Sequence, residues 1–237
     1  MKKTILITGS SRGIGREIAK LAGEQGWKVY LHGKTDSEKL DSLQKEIDDS
    51  EKLFFNLNDK TATEVALSKI TKIDCLVNNA GSIISDGRWD GEESKVRQSF
   101  EENVIGTWRV TKELVGKFNK NGSIINLCSE FGSRCPAGAV IGYSMSKAAL
   151  EAFTLALAKE LAPNIRVIGV APSVVNTDMT LSAGEELLDK LKSNMLAGRI
   201  AEPKEIAELI MFLASDKASF ISSEVIHISS GYSIKGK

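Results

Sequence analysis

The chain of 237 residues carries 31 basic and 31 acidic residues, 42% hydrophobic residues and three cysteines. Balanced charge without a long Lys or Arg run offers no broad attractive field for nucleic acid or a membrane surface; it points to small molecules or other protein chains as partners. Cys75, Cys128 and Cys135 are odd in number and form no C-x-x-C pair, which argues against a disulfide framework or a zinc site and for a reducing, cytoplasmic setting. His32 and His227 are too few and too far apart for a metal cluster, so no metal is expected.

The apolar content suffices for one sizeable core, and strand and helix patterns alternate throughout, so residues 1–237 read as a single α/β domain. Met1-Lys2-Lys3 is followed by an apolar run too short for a signal-peptide core or a membrane span. Thr4–Thr8 is that run, a strand buried on both faces. It enters Gly9-Ser10-Ser11-Arg12-Gly13-Ile14-Gly15, where three glycines permit a tight turn and close approach of a ligand to the backbone. The helix from about Ile14 to Gln25 aims free N–H groups at that gap, a place for a pyrophosphate.

Lys28–His32 is the second strand, and the residues after it bear on the cofactor. An acidic residue there suits the ribose 2′-hydroxyl of NAD, whereas a basic one suits a 2′-phosphate. The chain has Gly33-Lys34, and Lys34 with Arg12 favours NADP(H), with NAD(H) left open. Asp36 folded back to a ribose would reverse the preference, and both cations also read as ordinary solvated charges.

Ser37–Asp48 is a helix, Lys52–Leu57 strand three, Thr61–Ile70 a helix, and Ile73–Val77 strand four, leading into Asn78-Asn79-Ala80-Gly81. Gly9, Asn56 and Asn79 then stand at the carboxyl ends of neighbouring strands, where ligands bind in such sheets. After a loop over Ser82–Asp90, Glu92–Lys117 is a long helix with Asn103 and Gly106 inside it, poor helix formers that call for a packing or functional reason. Asn119–Gly122 is a turn, and Ser123–Cys128 is strand five, with Ser129 at its carboxyl end.

Tyr143 and Lys147 lie one turn apart at the head of a helix running to Leu161. A cation beside a phenol favours the phenolate, so Lys147 is expected to lower the pKa of Tyr143 from its ordinary value of about 10. That helix is apolar on nearly all faces, which predicts packing against another subunit and hence a homo-oligomer, a dimer or tetramer. Ile165–Ala171 is strand six. Pro172–Ile200 is a long connection of the kind that forms a lid, with an amphipathic centre at Glu185–Leu196 that reads equally as a substrate wall or as a helix merely packed on the domain. Pro203–Ser215 and Glu224–Ile228 are the last helix and strand.

The motifs Thr8-Gly9-x-x-x-Gly13-Ile14-Gly15, Asn78-Asn79-Ala80-Gly81, Asn103, Ser129 and Tyr143-x-x-x-Lys147, in this order over essentially the whole chain, resemble the short-chain dehydrogenase/reductase family, most closely its 3-oxoacyl-(acyl carrier protein) reductase branch. Gly198-Arg199 and Phe212–Asp216 are similar to that branch as well. The resemblance implies a Rossmann-type, doubly wound parallel sheet of about seven strands in the order 3-2-1-4-5-6-7, and an NADP(H)-dependent reduction of a ketone, 3-oxoacyl or other. It implies that Tyr143 is the general acid/base, that Lys147 lowers its pKa and holds the nicotinamide ribose, that Ser129 binds the substrate carbonyl and that Asn103 holds a relay water. Cofactor contacts are implied at Gly9, Ser11, Arg12, Gly13, Ile14, Gly15, Lys34, Asn56, Leu57, Asn79, Ala80, Gly81, Tyr143, Lys147, Pro172, Val175 and Thr177.

Some positions depart from the branch. Ser173 replaces the glycine after Pro172 and places a side chain near the nicotinamide; Asn56 replaces an acid; Ser223, Ser229 and Ser230 stand where Gly or Asn is usual; and Pro163-Asn164 offers no arginine for carrier-protein docking. These departures motivate an alternative, a catalytically silent NADP-sensing protein of the same fold, while an epimerase or dehydratase use of the same Tyr and Lys fits longer chains.

Overall fold

Residues 2–86, 89–181 and 184–235 are described by the computed structural model. Seven strands, β1 (Thr4–Ile7), β2 (Lys28–Gly33), β3 (Ser50–Phe54), β4 (Ile73–Asn78), β5 (Phe118–Leu127), β6 (Ile165–Pro172) and β7 (Glu224–Ile228), pair in parallel in the order β3-β2-β1-β4-β5-β6-β7. The helices are α1 (Gly13–Glu24), α2 (Glu38–Glu46), α3 (Lys60–Leu67), α4 (Glu93–Phe100), α5 (Gly106–Val115), α6 (Glu130–Ser133), α7 (Ile141–Leu161), α8 (Asp178–Leu181), α9 (Glu185–Ser193), α10 (Pro203–Ala214) and α11 (Tyr232–Lys235). This is the doubly wound fold expected.

Side chains of a strand alternate between the two faces of its sheet, so each strand feeds two cores. Ile5 and Ile7 pack with α1, α2 and α10 through Ile18, Leu40, Leu43, Ile206 and Ile210. Leu6 points the other way and packs with α3, α5 and α7 through Leu67, Val110, Leu114 and Ala158. At ~25 cal/mol per Å2 of apolar surface, each fully buried Leu or Ile contributes roughly 2 kcal/mol, and both faces of the sheet draw on that term. The order in which successive strands are added reverses between β1 and β4, which opens a crevice at their carboxyl ends.

The element boundaries shift where tertiary pairing decides them. β3 occupies Ser50–Phe54 rather than 52–57, because its register on β2 pairs Val29 with Ser50 and Gly33 with Phe54. β5 begins at Phe118, so the Asn119–Gly122 segment expected as a turn lies in the strand, past an irregularity between Ile73 and Cys75 on its partner. The long helix expected over 92–117 is interrupted by a π turn at Glu101–Ile105, closed by Gly106 N donating to Glu101 O. Gly106 sits where it does because a Cβ there would come within 2.8 Å of the Leu57 Cβ. Among the described residues no helix is long and apolar enough to cross a membrane.

Candidate active site

The glycine turn after β1 is built without room to spare. Gly9 and Gly13 hold positive φ of 68° and 55°, a left-handed conformation costly for other residues. A Cβ on Gly15 would lie 2.4 Å from Gly9 O and 2.5 Å from Asn79 Nδ2. Asn79 Nδ2 donates to Thr8 O at 2.8 Å and Gly9 O at 3.0 Å, while Thr8 Oγ1 accepts from the Asn79 and Ala80 amides at 3.0 and 2.9 Å. The Asn-Asn-Ala-Gly segment thus fixes the glycine turn. Thr177 closes it from the far side, since its Cγ2 would meet a Cβ on Gly13 at 3.2 Å. The first turn of α1 carries no acidic residue and no side-chain cap, so its N–H groups and positive dipole end are open to an anion, and the backbone cradle fits a pyrophosphate.

Arg12 and Lys34 are both exposed. Arg12 acts electrostatically on Asp178, which Lys39 also contacts at 3.0 Å. Asp36 Oδ1 accepts from the Ser37 amide at 2.9 Å and from Lys52 at 3.3 Å. Asn56 Oδ1 accepts from the Asn58 amide at 3.2 Å and shapes the turn after β3; Leu57 is buried and its carbonyl accepts from Arg109 at 3.1 Å. Pro172 and Val175 are buried, and Val175 forms a parallel bridge with Ala201.

Tyr143, Lys147, Ser129 and Asn103 converge at the head of α7, all nine-tenths or more buried. Lys147 Nζ lies 5.8 Å from the Tyr143 ring centroid and donates to Leu127 O at 2.6 Å. Burial pushes its ammonium down to about 8. Burial is also the largest influence on Tyr143 and holds the phenol above its ordinary value, while a hydrogen bond with the Ser129 side chain pulls the other way. The direction is opposite to the lowering expected from Lys147, because removing the phenolate from water is the largest influence on the phenol. Ser129 caps α6, accepting from the Phe131 amide at 3.2 Å. Asn103 Oδ1 accepts from Ser82 N at 3.0 Å, and its Nδ2 donates to Ser82 O at 3.1 Å and Ser146 Oγ at 3.0 Å, with its own carbonyl accepting from Thr107 Oγ1 at 3.0 Å. The π turn accounts for an asparagine mid-helix, a placement typical of functional sites.

Ser173, the residue after Pro172, is held by its hydroxyl. Its hydroxyl donates to Ser229 O at 3.3 Å and lies 3.7 Å from Met195 Sδ, so it ties β6 to the end of β7 and to the segment after α9. Leu196 N and Ala197 N bond Ser230 O and Oγ at 2.8 and 2.9 Å. Ser173, Ser229 and Ser230 thus form one seam that joins the ends of β6 and β7 to residues 195–197. Residues 182 and 183 of the expected lid lie outside the described residues; Leu188 and Met195 are buried, whereas Leu187 and Leu196 face outward.

Four residues contribute without having been expected from the sequence. His32 stands beneath the glycine turn, its Nδ1 accepting from Gly9 N at 3.0 Å and its Nε2 donating to Phe55 O at 2.9 Å. Asp86, buried in the loop after β4, accepts from Gly142 N and so holds the head of α7 one residue before Tyr143. Glu130 and His227 pair behind Ser129. Only His32 carried a local signal, a polar residue ending an otherwise apolar strand beside the glycines.

A family model described as Enoyl-(Acyl carrier protein) reductase matches residues 9–233. The chain is 38% identical over 247 residues to the 3-oxoacyl-(acyl-carrier-protein) reductase FabG of Aquifex aeolicus (strain VF5), covering 97% of this chain and 96% of that one. It is 33% identical to the uncharacterized oxidoreductase YmfI of Bacillus subtilis (strain 168), covering 98% and 99%. Among solved structures it superposes on a short-chain dehydrogenase/reductase from Serratia marcescens with TM-score 0.90 at 29% identity, covering 98% of each chain. It superposes on the angucycline C-6 ketoreductase LanV with bound NADP with TM-score 0.92 at 27% identity, covering 98% and 96%. With fold, motif order and relatives in agreement over nearly its full length, this chain belongs to the short-chain dehydrogenase/reductase family, close to the 3-oxoacyl-(acyl carrier protein) reductase branch, and is an oxidoreductase acting on the C=O/CH–OH couple.

Proposed function

We propose that this single-domain chain is an NADP(H)-dependent ketoreductase that reduces the carbonyl of a 3-oxoacyl or similar ketone substrate. The observation that carries the reading is the convergence of Tyr143, Ser129 and Lys147 beside a glycine cradle whose Gly15 leaves no room for a side chain. The chemistry supplied at this site when a reduced nicotinamide is bound is hydride transfer to the carbonyl carbon. Gly9, Gly13, Gly15 and the α1 N-terminus hold the pyrophosphate, with Ser11, Ile14, Ala80 and Gly81 lining the approach. Arg12 and Lys34 receive the 2′-phosphate, and Asn56 and Leu57 flank the adenine. Pro172, Val175 and Thr177 wall the nicotinamide.

At the substrate, Ser129 donates a hydrogen bond to the carbonyl oxygen and Tyr143 delivers the proton that oxygen takes up. Lys147 leaves Leu127 O for the ribose and, brought closer to the phenol, lowers its pKa relative to the value burial imposes. Asn103 holds the water that returns a proton to Lys147. Exposed Ile105, Trp108, Met145 and Leu155 on the π turn, α5 and α7 support a homo-oligomer joined through that face, and the cysteine usage supports a cytoplasmic location. The silent-sensor alternative loses one motive, because the Ser173 hydroxyl is engaged with Ser229.

Purified protein offered NADPH or NADH with a panel of ketones including a 3-oxoacyl thioester tests the reading. It predicts cofactor oxidation with a preference for NADPH. Tight NADP binding without turnover on any carbonyl would replace it with the sensor.

A further inference from the structure

A buried acid and an imidazole stand directly behind Ser129. Glu130, the first residue of α6, is fully buried, and its Oε2 lies 2.6 Å from Nδ1 of His227 on β7. His227 is in register with Ala171 on β6, the residue before Pro172, and Ser173 N donates to Ile228 O at 3.2 Å. Ser129 follows β5, whose flanking Cys128 N donates to Val170 O at 2.8 Å. Since the sheet order there is β5-β6-β7, Glu130 reaches from the end of one strand past the next to the third, a span of roughly 9–10 Å between strand axes. The contact joins the strand end that carries Ser129 to the one beside Pro172 and Ser173.

Among the described residues Oε1 of Glu130 meets no hydrogen-bond donor, so the polar satisfaction of its side chain rests on His227. A buried pair of this kind adds little net stability against an apolar substitute, and losing one partner is costly. That pattern suits a positional role. On the opposite flank, α6 is only one turn long, and a Cβ on Gly132 would stand 2.8 Å from Oε1 of Glu151, so α6 has no space to slide toward α7.

We propose that Glu130 and His227 are positioning residues, a clamp that fixes α6 to β7 and thereby sets the Ser129 hydroxyl against Tyr143 and the Pro172–Ser173 wall. The proposal rests on the reading of Ser129 and Tyr143 as the groups that meet the substrate carbonyl.

The test compares Glu130→Ala with Glu130→Gln, whose amide oxygen still accepts from His227. Two readouts are taken: steady-state reduction of a 3-oxoacyl thioester by NADPH, and titration of protein labelled with 13C at the tyrosine Cζ. The Tyr143 signal is identified by its absence in Tyr143→Phe. Because Ser129 holds the phenol lower than burial alone would, displacing Ser129 moves the Tyr143 titration to higher pH whether or not the protein turns over. Glu130→Ala is expected to lose kcat by roughly 100-fold at a KM for NADPH within about twofold, and to titrate later. Glu130→Gln is expected to stay within roughly tenfold in kcat and to titrate like the unaltered protein. Glu130→Ala retaining kcat within about threefold overturns the clamp, as does a Gln variant impaired as badly as the Ala variant, or a KM for NADPH that worsens along with kcat. If Glu130→Ala does not fold, His227→Gln against His227→Ala applies the same comparison from β7. If the unaltered protein reduces no carbonyl, the proposed function fails on its own, and the Tyr143 titration alone decides the clamp.

Discussion

His32 makes the stability of the fold depend on pH in a calculable way. Its ring is 2% exposed, lies 4.1 Å from the Phe55 ring centroid, accepts from Gly9 N and donates to Phe55 O. These contacts hold the neutral tautomer with its proton on Nε2; a second proton on Nδ1 would face the Gly9 N–H. Burial accordingly pushes the imidazole down to about 4 from its ordinary 6.5. Between those values the unfolded chain binds the proton and the folded chain does not. The contribution is complete above pH 6.5, declines as the pH falls, and is spent near pH 4. At ~1.4 kcal/mol per pH unit the whole loss is on the order of 3 kcal/mol. The assay is urea denaturation of the unaltered protein and His32→Gln at half-unit steps from pH 7 to pH 4. The carboxylates and His227 are present in both proteins, so the difference between the two curves isolates His32. It should shrink by roughly 3 kcal/mol on acidification, and a constant difference would refute the reasoning.

Gly15→Ala should cost ~1–3 kcal/mol from its clash with Gly9 O and Asn79 Nδ2, which lowers Tm by several degrees and abolishes dinucleotide binding in a fluorescence titration. Lys147→Met should remove turnover while leaving stability at pH 7 unchanged or higher by up to roughly 2 kcal/mol, since the ammonium it replaces is buried and held down to about 8; denaturation curves check the sign. The double substitution Arg12→Ala with Lys34→Ala should raise the KM for NADPH by roughly 10–100-fold and leave that for NADH unchanged, a comparison of initial rates.

The parallel sheet was legible because most strands contain a short apolar run closed by glycine or a polar turn, and the helices between them repeat their apolar residues every three to four positions. The site's frame was legible for the same reason: Gly9, Asn79, Ser129 and Tyr143 all follow strand ends or open helices, and the topology gathers them at one rim. Asn103 and Gly106 announced themselves as poor helix formers, and the π turn and the Leu57 contact explain them. What stayed hidden depends on partners distant in sequence. Glu130 and His227 are 97 residues apart, and neither carries a local mark of the contact. The orientation of Ser173 is set by Ser229 and Met195 rather than by its neighbours. The direction of the Tyr143 shift followed from how deeply the ring is buried, which spacing to Lys147 does not reveal.

The central claim is that Tyr143 passes a proton to the carbonyl oxygen while Ser129 holds it. Single-turnover reduction of a 3-oxoacyl thioester by NADPH, with Tyr143→Phe against the unaltered protein, tests it most directly. Removing the proton donor while keeping the ring should slow the chemical step by ~10²–10⁴-fold and leave the Kd for NADPH within about twofold. A Tyr143→Phe variant that reduces the thioester at the unaltered rate would contradict the account.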